Sequence, residues 1–256
     1  MNKQNNPVYI SLTSIFKNQY FLFQTLKSLI SQTRKPDKIF LFLSEEPYIL
    51  DSGFKNKKIT DTNLLDFINK NPIINVKWVQ NTGSYRKLLP ILKDKWKEDC
   101  IIITVDDDTI YDNNLVKNLL DDYNKYECVI GYRGFTPCLD KFEDFNYIKR
   151  KKLQNLSRYN FLTGKGGILY KPKFFHNTNN LIFNSQIYLN TCAKQDDIWF
   201  YILRVLNNVN CFTINKKWQV KDLTNGDGLY NHFNSKKNNN TNAFKNTIKK
   251  IKECGI

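Results

Sequence analysis

The 256-residue chain carries no C-x-x-C pair and only two histidines, which leaves no paired-cysteine metal or redox motif to consider. Its six cysteines, at positions 100, 128, 138, 192, 211 and 254, are scattered, several of them in apolar strand-like stretches. They read as reduced core thiols in a cytosolic compartment. The first residues, Met1 to Asn6, run straight into a strand without an apolar h-region, and no stretch is long enough to span a bilayer. A cytoplasmic protein is expected. No zinc-finger, helix-turn-helix or RNA-recognition signature accompanies the formal charge of +15, so no specific nucleic-acid partner is expected. Some of that charge follows from a composition crowded with lysine, asparagine, isoleucine, tyrosine and phenylalanine, all residues with A/T-rich codons. With 41% hydrophobic and 14% aromatic residues and no internal repeat, the chain can bury the core of a single large domain.

What the sequence does hold is concentrated in Ile101-Ile102-Ile103-Thr104-Val105-Asp106-Asp107-Asp108. The β-branched run reads as a buried strand. Three carboxylates then sit side by side at its carboxyl end, the edge at which open α/β sheets bind ligands. Their mutual repulsion calls for a counter-charge. In an extended strand Asp106 and Asp108 point to one side and Asp107 to the other, so this D-x-D pair can share one divalent cation. Hard Mg²⁺ or Mn²⁺ suits carboxylate oxygens and leaves positions for substrate phosphates. The plainer reading is an acidic turn followed by a helix capped at Asp112.

Upstream, Pro7 to Thr13 reads as a strand, Asn18 to Gln32 as an amphipathic helix and Ile39 to Leu43 as a second buried strand. Together they form a right-handed β-α-β unit. Asn63 to Asn69 and Leu88 to Trp96 are helical stretches on either side of a strand at Ile74 to Val79, and Asp112 to Tyr123 is a helix followed by a strand at Cys128 to Gly131. Residues 132–162 lose this regularity and read as a surface excursion with the cationic run Lys149-Arg150-Lys151-Lys152. Beyond it come a glycine-rich turn with a short strand at Thr163 to Tyr170, a helix at Asp196 to Leu206 and a last strand at Cys211 to Ile214. The domain is expected to run from 1 to 233, in two halves at about 7–131 and about 132–233. Residues 234–256 make a polar basic tail, in which Phe244, Ile248 and Ile251 recur at helical spacing. That short amphipathic helix can dock on the domain or touch a membrane surface.

Five segments in this order resemble the GT-A-fold nucleotide-sugar glycosyltransferases, in particular those related to the inverting family 2 enzymes. They are Ile10 to Ser14, Gly83 to Pro90, Thr104 to Tyr111, Gly166 to Pro172 and Asp196 to Phe200. Lys165 and Lys171 depart from the small or proline residues of the pattern, and Gly83-Ser84-Tyr85-Arg86 replaces its Gly-Pro-Ala-Thr. The resemblance implies an α/β fold of GT-A, Rossmann-like type, with a mostly parallel central sheet flanked by helices in a single domain, its nucleotide-binding half at about 7–131 and its acceptor-side half at about 132–233. It implies transfer of a sugar from a nucleoside diphosphate donor, UDP foremost, to a hydroxyl on a glycan, a lipid-linked saccharide or a protein, metal-dependent and inverting. Asp108 would ligate the Mn²⁺ or Mg²⁺, with His232 as a further ligand. Asp106 would hold the ribose or donor sugar, and Asp107 could take either task.

On the same resemblance, Thr13, Ser14, Ser44 and Glu45 line the base pocket. Gly83 and Lys87, at a helix start, neutralise phosphate. Gly166 and Gly167 admit donor or acceptor close to the backbone, and Trp199 offers a flat face to a sugar. Asp197 would be the base that deprotonates the acceptor, and Asp196 would bind acceptor hydroxyls or support the base, in roles that could be exchanged. Each residue also has an ordinary structural reading: a hydroxyl cap, a solvated acid, an exposed lysine, a tight turn, carboxylates favoured by a helix dipole. Two other functions compete. A haloacid-dehalogenase-like phosphatase also uses a D-x-D strand end, though normally on its first strand. A non-catalytic basic binder of nucleic acid or anionic surfaces would use the +15 charge alone.

Overall fold

The computed structural model describes residues 6–215, 220–223 and 239–255. β1 (Val8–Thr13), α1 (Gln19–Ile30) and β2 (Lys38–Leu43) form the first crossover unit, and α2 (Thr62–Lys70) leads to β3 (Ile74–Trp78). α2 is capped by Asp61, whose carboxylate accepts from the Leu64 amide at 2.9 Å. A 3₁₀ turn at Gly83–Lys87 and α3 (Leu89–Asp94) precede β4 (Ile101–Thr104), β5 (Thr109–Tyr111), α4 (Leu115–Tyr126) and β6 (Val129–Gly131). Short strands follow at β7 (Gly134–Pro137), β8 (Arg150–Lys151), β9 (Leu156–Ser157) and β10 (Phe161–Leu162), then β11 (Ile168–Tyr170). α5 (Asn179–Ile182), α6 (Ser185–Thr191), α7 (Asp196–Leu206), β12 (Cys211–Thr213), β13 (Val220–Asp222) and α8 (Asn239–Glu253) complete the described chain.

The principal sheet has the order β3-β2-β1-β4-β11-β6-β12-β9. β3, β2, β1 and β4 run parallel, while β11 lies antiparallel between β4 and β6. Side-chain alternation sorts the two faces. Ile10, Leu12, Ile39, Leu41, Ile101 and Ile103 bury with the apolar sides of α1, α2 and α4. The intervening Phe40, Phe42 and Ile102 bury with those of α3, α5, α6, α7 and α8. Both faces are covered, which is why β2 and β4 read as apolar runs. The fold is the GT-A, Rossmann-like architecture expected from the sequence.

Three segments differ from expectation. β4 stops at Thr104, and Asp106 to Asp108 form a turn into β5, so strand alternation does not govern their side chains. The helix expected from Asp112 begins at Leu115, because the Asp112 carboxylate accepts from the Asn114 amide at 2.8 Å and bends the chain first. Residues 132–162 are a surface excursion only in part, exposed at 148–152 but anchored by aromatic side chains. Their Phe135, Phe145 and Phe161 pack with Tyr201 of α7 and Phe244 of α8 into an aromatic core, and Arg150 lies 4.0 Å from the centre of the Phe135 ring. α8 docks through the buried Phe244 and Ile251. No helix of the described residues is long and apolar enough to cross a membrane.

Candidate active site

The carboxyl ends of β1 and β4 open onto a cavity of about 820 Å³. Its floor is the acidic turn, which α1 holds from below: the buried Thr25 hydroxyl bonds the carbonyls of Asp107 and Thr109 at 2.8 and 2.9 Å. The three side chains then diverge. Asp106 accepts from the Lys87 ammonium at 2.9 Å. Asp107 accepts from the Ser14 hydroxyl and from Asn18 Nδ2 at 3.1 Å. Asp108 faces Lys165, whose ammonium stands 4.0 Å away. All three line the cavity.

The second acid pair, at the start of α7, lines the same cavity. Asp196 is buried and held by the Ser84 hydroxyl at 2.7 Å and by Lys87 at 3.2 Å. Asp197 accepts from the Gly164 amide at 3.2 Å. Lys87, expected at a helix start, ends the 3₁₀ turn ahead of α3 and lines the same cavity. Its ammonium is enclosed between the two acidic clusters and joins them. Burial alone would push that ammonium's pKa down, but Asp106, Asp196 and Asp197 outweigh it and hold the pKa well above the ordinary lysine value.

Charge and burial separate the carboxylates. Desolvation pushes the Asp197 pKa up to about 7, with Asp196 adding repulsion and Lys87 opposing it. Desolvation, then the neighbouring Asp108, pushes Asp107 to about 7 as well. Desolvation also acts upward on Asp106, yet the Lys87 ammonium holds this carboxyl below its usual range. A recessed acid near neutrality, bonded to one backbone amide, is suited to taking a proton from an incoming hydroxyl.

Of the other expected site residues, Thr13, Ser14 and Gly83 line the cavity, Gly83 at φ +65° beside the Tyr48 ring. The Thr13 hydroxyl donates to the Phe42 carbonyl at 2.7 Å and ties β1 to β2. Ser44 and Glu45 stay outside the cavity lining. Ser44 is buried and accepts from the Glu46 amide, while Glu45 accepts from the Asn56 amide. The loop after β2 folds back on itself, so it is Tyr48 to Asp51 that reach the cavity. Asp51 accepts from Arg86 Nη2 and Asn81 Nδ2, both at 3.0 Å, and fixes this wall.

Gly166 and Gly167 also lie outside the lining, and Gly164 takes the place expected of them. A Cβ on Gly164 would sit 2.7 Å from Lys87 Nζ, whereas one on Gly166 would strike the Arg133 backbone and one on Gly167 would meet Leu115. Trp199 is fully buried, its indole N–H donating to the Ile182 carbonyl at 3.2 Å. Two residues along a helix is about 200° of rotation, so with Asp197 toward the cavity Trp199 must face the core. Lys171 pairs with Asp99 outside the cavity lining. His232 lies outside the described residues.

Asp222 is a site residue that sequence reasoning missed. β13 pairs with β5 so that Asp222 lies opposite Thr109, and its carboxylate contacts the Lys165 ammonium. Nothing in the local sequence around Asp222 announces this pairing. No group of three His, Cys, Asp or Glu among the described residues is arranged to hold a metal ion. The convergence of Asp108 and Asp222 on one ammonium nevertheless gives two hard oxygen donors where positive charge is held. That donor set fits Mg²⁺ or Mn²⁺ if phosphate and water oxygens complete the shell.

The sequence matches no protein-family model. No curated protein matches it. Solved structures do share the fold. Residues 1–349 of S. aureus TarS in complex with UDP-GlcNAc superimpose with a TM-score of 0.51 at 14% identity, covering 82% of this chain and 56% of that one. The same protein with UDP gives 0.52 at 12% identity, covering 82% and 58%. This chain thus spans a little over half the length of that TarS chain. A 4-diphosphocytidyl-2C-methyl-D-erythritol synthase gives 0.52 at 12% identity, covering 86% of this chain and 93% of that one.

Proposed function

We infer that the chain is a glycosyltransferase that moves a sugar from a nucleoside diphosphate donor, UDP foremost, to an acceptor hydroxyl with inversion. One observation carries this reading: the acidic turn after β4 and the acid pair opening α7 face a single cavity and are joined by Lys87. The loop after β1 and residues Tyr48 to Asp51 would receive the nucleoside, and Asp106 the ribose or donor sugar. A divalent cation held at Asp108 and Asp222 would stabilise the charge growing on the diphosphate. Asp197 takes the acceptor proton as the hydroxyl oxygen attacks the anomeric carbon. The bond from that carbon to the diphosphate oxygen breaks, and the electron pair leaves with the nucleoside diphosphate. Asp196, fixed by Ser84 and Lys87, keeps Asp197 positioned and its pKa high. The acceptor is a glycan, a lipid-linked saccharide or a protein hydroxyl.

The synthase that matches over most of its own length motivates a second reading, nucleotidyl transfer, which differs in product: it releases pyrophosphate where a glycosyltransferase releases UDP. The phosphatase alternative wants its acidic pair on the first strand, and here the pair follows the fourth. A panel of nucleotide-sugars with Mn²⁺, scored for thermal stabilisation and released product, separates these. A ligand at a hundred times its Kd stabilises by about 2.7 kcal/mol. UDP-sugars are expected to stabilise the protein and release UDP, and Asp197→Asn is expected to retain stabilisation and lose transfer. Normal transfer by Asp197→Asn, or no stabilisation by any nucleotide-sugar, rejects the reading.

A further inference from the structure

Lys165 and Asp222 form a charged pair that the resemblance gave no role. The backbone places Asp222: the Leu223 amide donates to the Asp108 carbonyl at 2.9 Å, so β13 lies against the acidic turn. Lys165 reaches the same corner from the glycine-rich turn. Its turn is pinned, since a Cβ on Gly166 would lie 2.6 Å from the Arg133 nitrogen and Gly167 adopts φ +76°. The Lys165 ammonium touches the Asp222 carboxylate and stands 4.0 Å from Asp108 Oδ1. The rest of the triplet is held elsewhere, Asp106 by Lys87 and Asp107 by Ser14 and Asn18. Among the described residues, a tethered amine thus brings positive charge between two carboxylates, the same donors that a hard divalent cation would use.

We propose that Lys165 is an internal placeholder for the divalent cation: it binds Asp108 and Asp222 before donor arrives and passes to the donor's diphosphate when the cation enters. An ammonium and a divalent cation cannot both occupy these carboxylates at close range. A cation arriving alone must strip Lys165 of its partners. A cation arriving with a nucleoside diphosphate gives the displaced ammonium a new one, and the flexible four-carbon stem lets it move. Lys165 thereby couples the two binding events, and linkage makes the coupling reciprocal. The diphosphate half rests on the transferase reading, while competition between Lys165 and the cation stands without it.

The test is calorimetric titration of the full chain with Mn²⁺, alone and with saturating UDP, in the wild type and in Lys165→Met, Lys165→Gln and Lys165→Arg. Mn²⁺ alone is expected to bind Lys165→Met and Lys165→Gln about tenfold more tightly than wild type, and the gain from UDP to shrink by a similar factor. Lys165→Arg keeps a cation and is expected to stay near wild type. Unchanged or weaker Mn²⁺ affinity in both neutral variants overturns the proposal, as does equal tightening in the arginine variant. Should UDP bind none of the proteins, the transferase reading fails, and the titrations with Mn²⁺ alone still decide whether Lys165 competes with the cation.

Discussion

Asp196 and Asp197 are adjacent, chemically identical and differently held. Asp196 is tied to Ser84 and Lys87, whereas Asp197 accepts from the Gly164 amide and has its pKa raised to about 7 by burial, with repulsion from Asp196 and Asp106 against the pull of Lys87. A base works only when deprotonated, so the transfer rate is expected to fall as pH drops through about 7. Lys87 lowers that pKa, so Lys87→Met should shift this limb of the pH-rate profile to higher pH; an unshifted limb would mean that the ammonium does not tune the base. Trp199 supplies the contrasting case. It was legible in the sequence as an aromatic near an acid, but helical rotation turns it into the core. Trp199→Ala is expected to cost about 3–5 kcal/mol in urea unfolding, with UDP affinity of the folded fraction unchanged.

At the scale of elements, β2 and β4 were readable because each is covered on both faces and declares itself as an apolar run. The glycine-rich turn was readable as a turn but not as to which glycine serves the cavity. Chain geometry places Gly164 against Lys87 and Asp197, and Gly167 at φ +76° against Leu115. The two should respond differently to alanine. Gly164→Ala is expected to impair transfer by crowding Lys87 and Asp197, whereas Gly167→Ala is expected to lower stability by about 1 kcal/mol or more through its positive φ, measured by chemical denaturation. Equal loss of activity in both variants, at equal stability, would remove the distinction. The short strands of 132–162 and the β13–β5 pair escaped the sequence because strands of two to four residues carry too little periodicity, and the partners of β13 and β5 are remote.

Over the whole molecule, the charge of +15 is a property of the surface and not of the cavity, where acids and bases interleave. Any association with nucleic acid or anionic vesicles is therefore expected to fall steeply with added salt and to be indifferent to Asp108→Asn, while nucleotide-sugar binding should respond to Asp108→Asn and much less to salt. Filter binding and calorimetry at two ionic strengths separate the two. The sequence by itself determined the layered α/β core, the acidic strand end and the acid pair at a helix start, because apolar period and adjacent charge are local properties. Only the tertiary structure decided that the two acidic groups share one cavity, that Lys87 joins them, and that Asp222 stands beside Asp108. These are contacts between residues far apart in the chain, and nothing in the neighbourhood of either partner specifies the other.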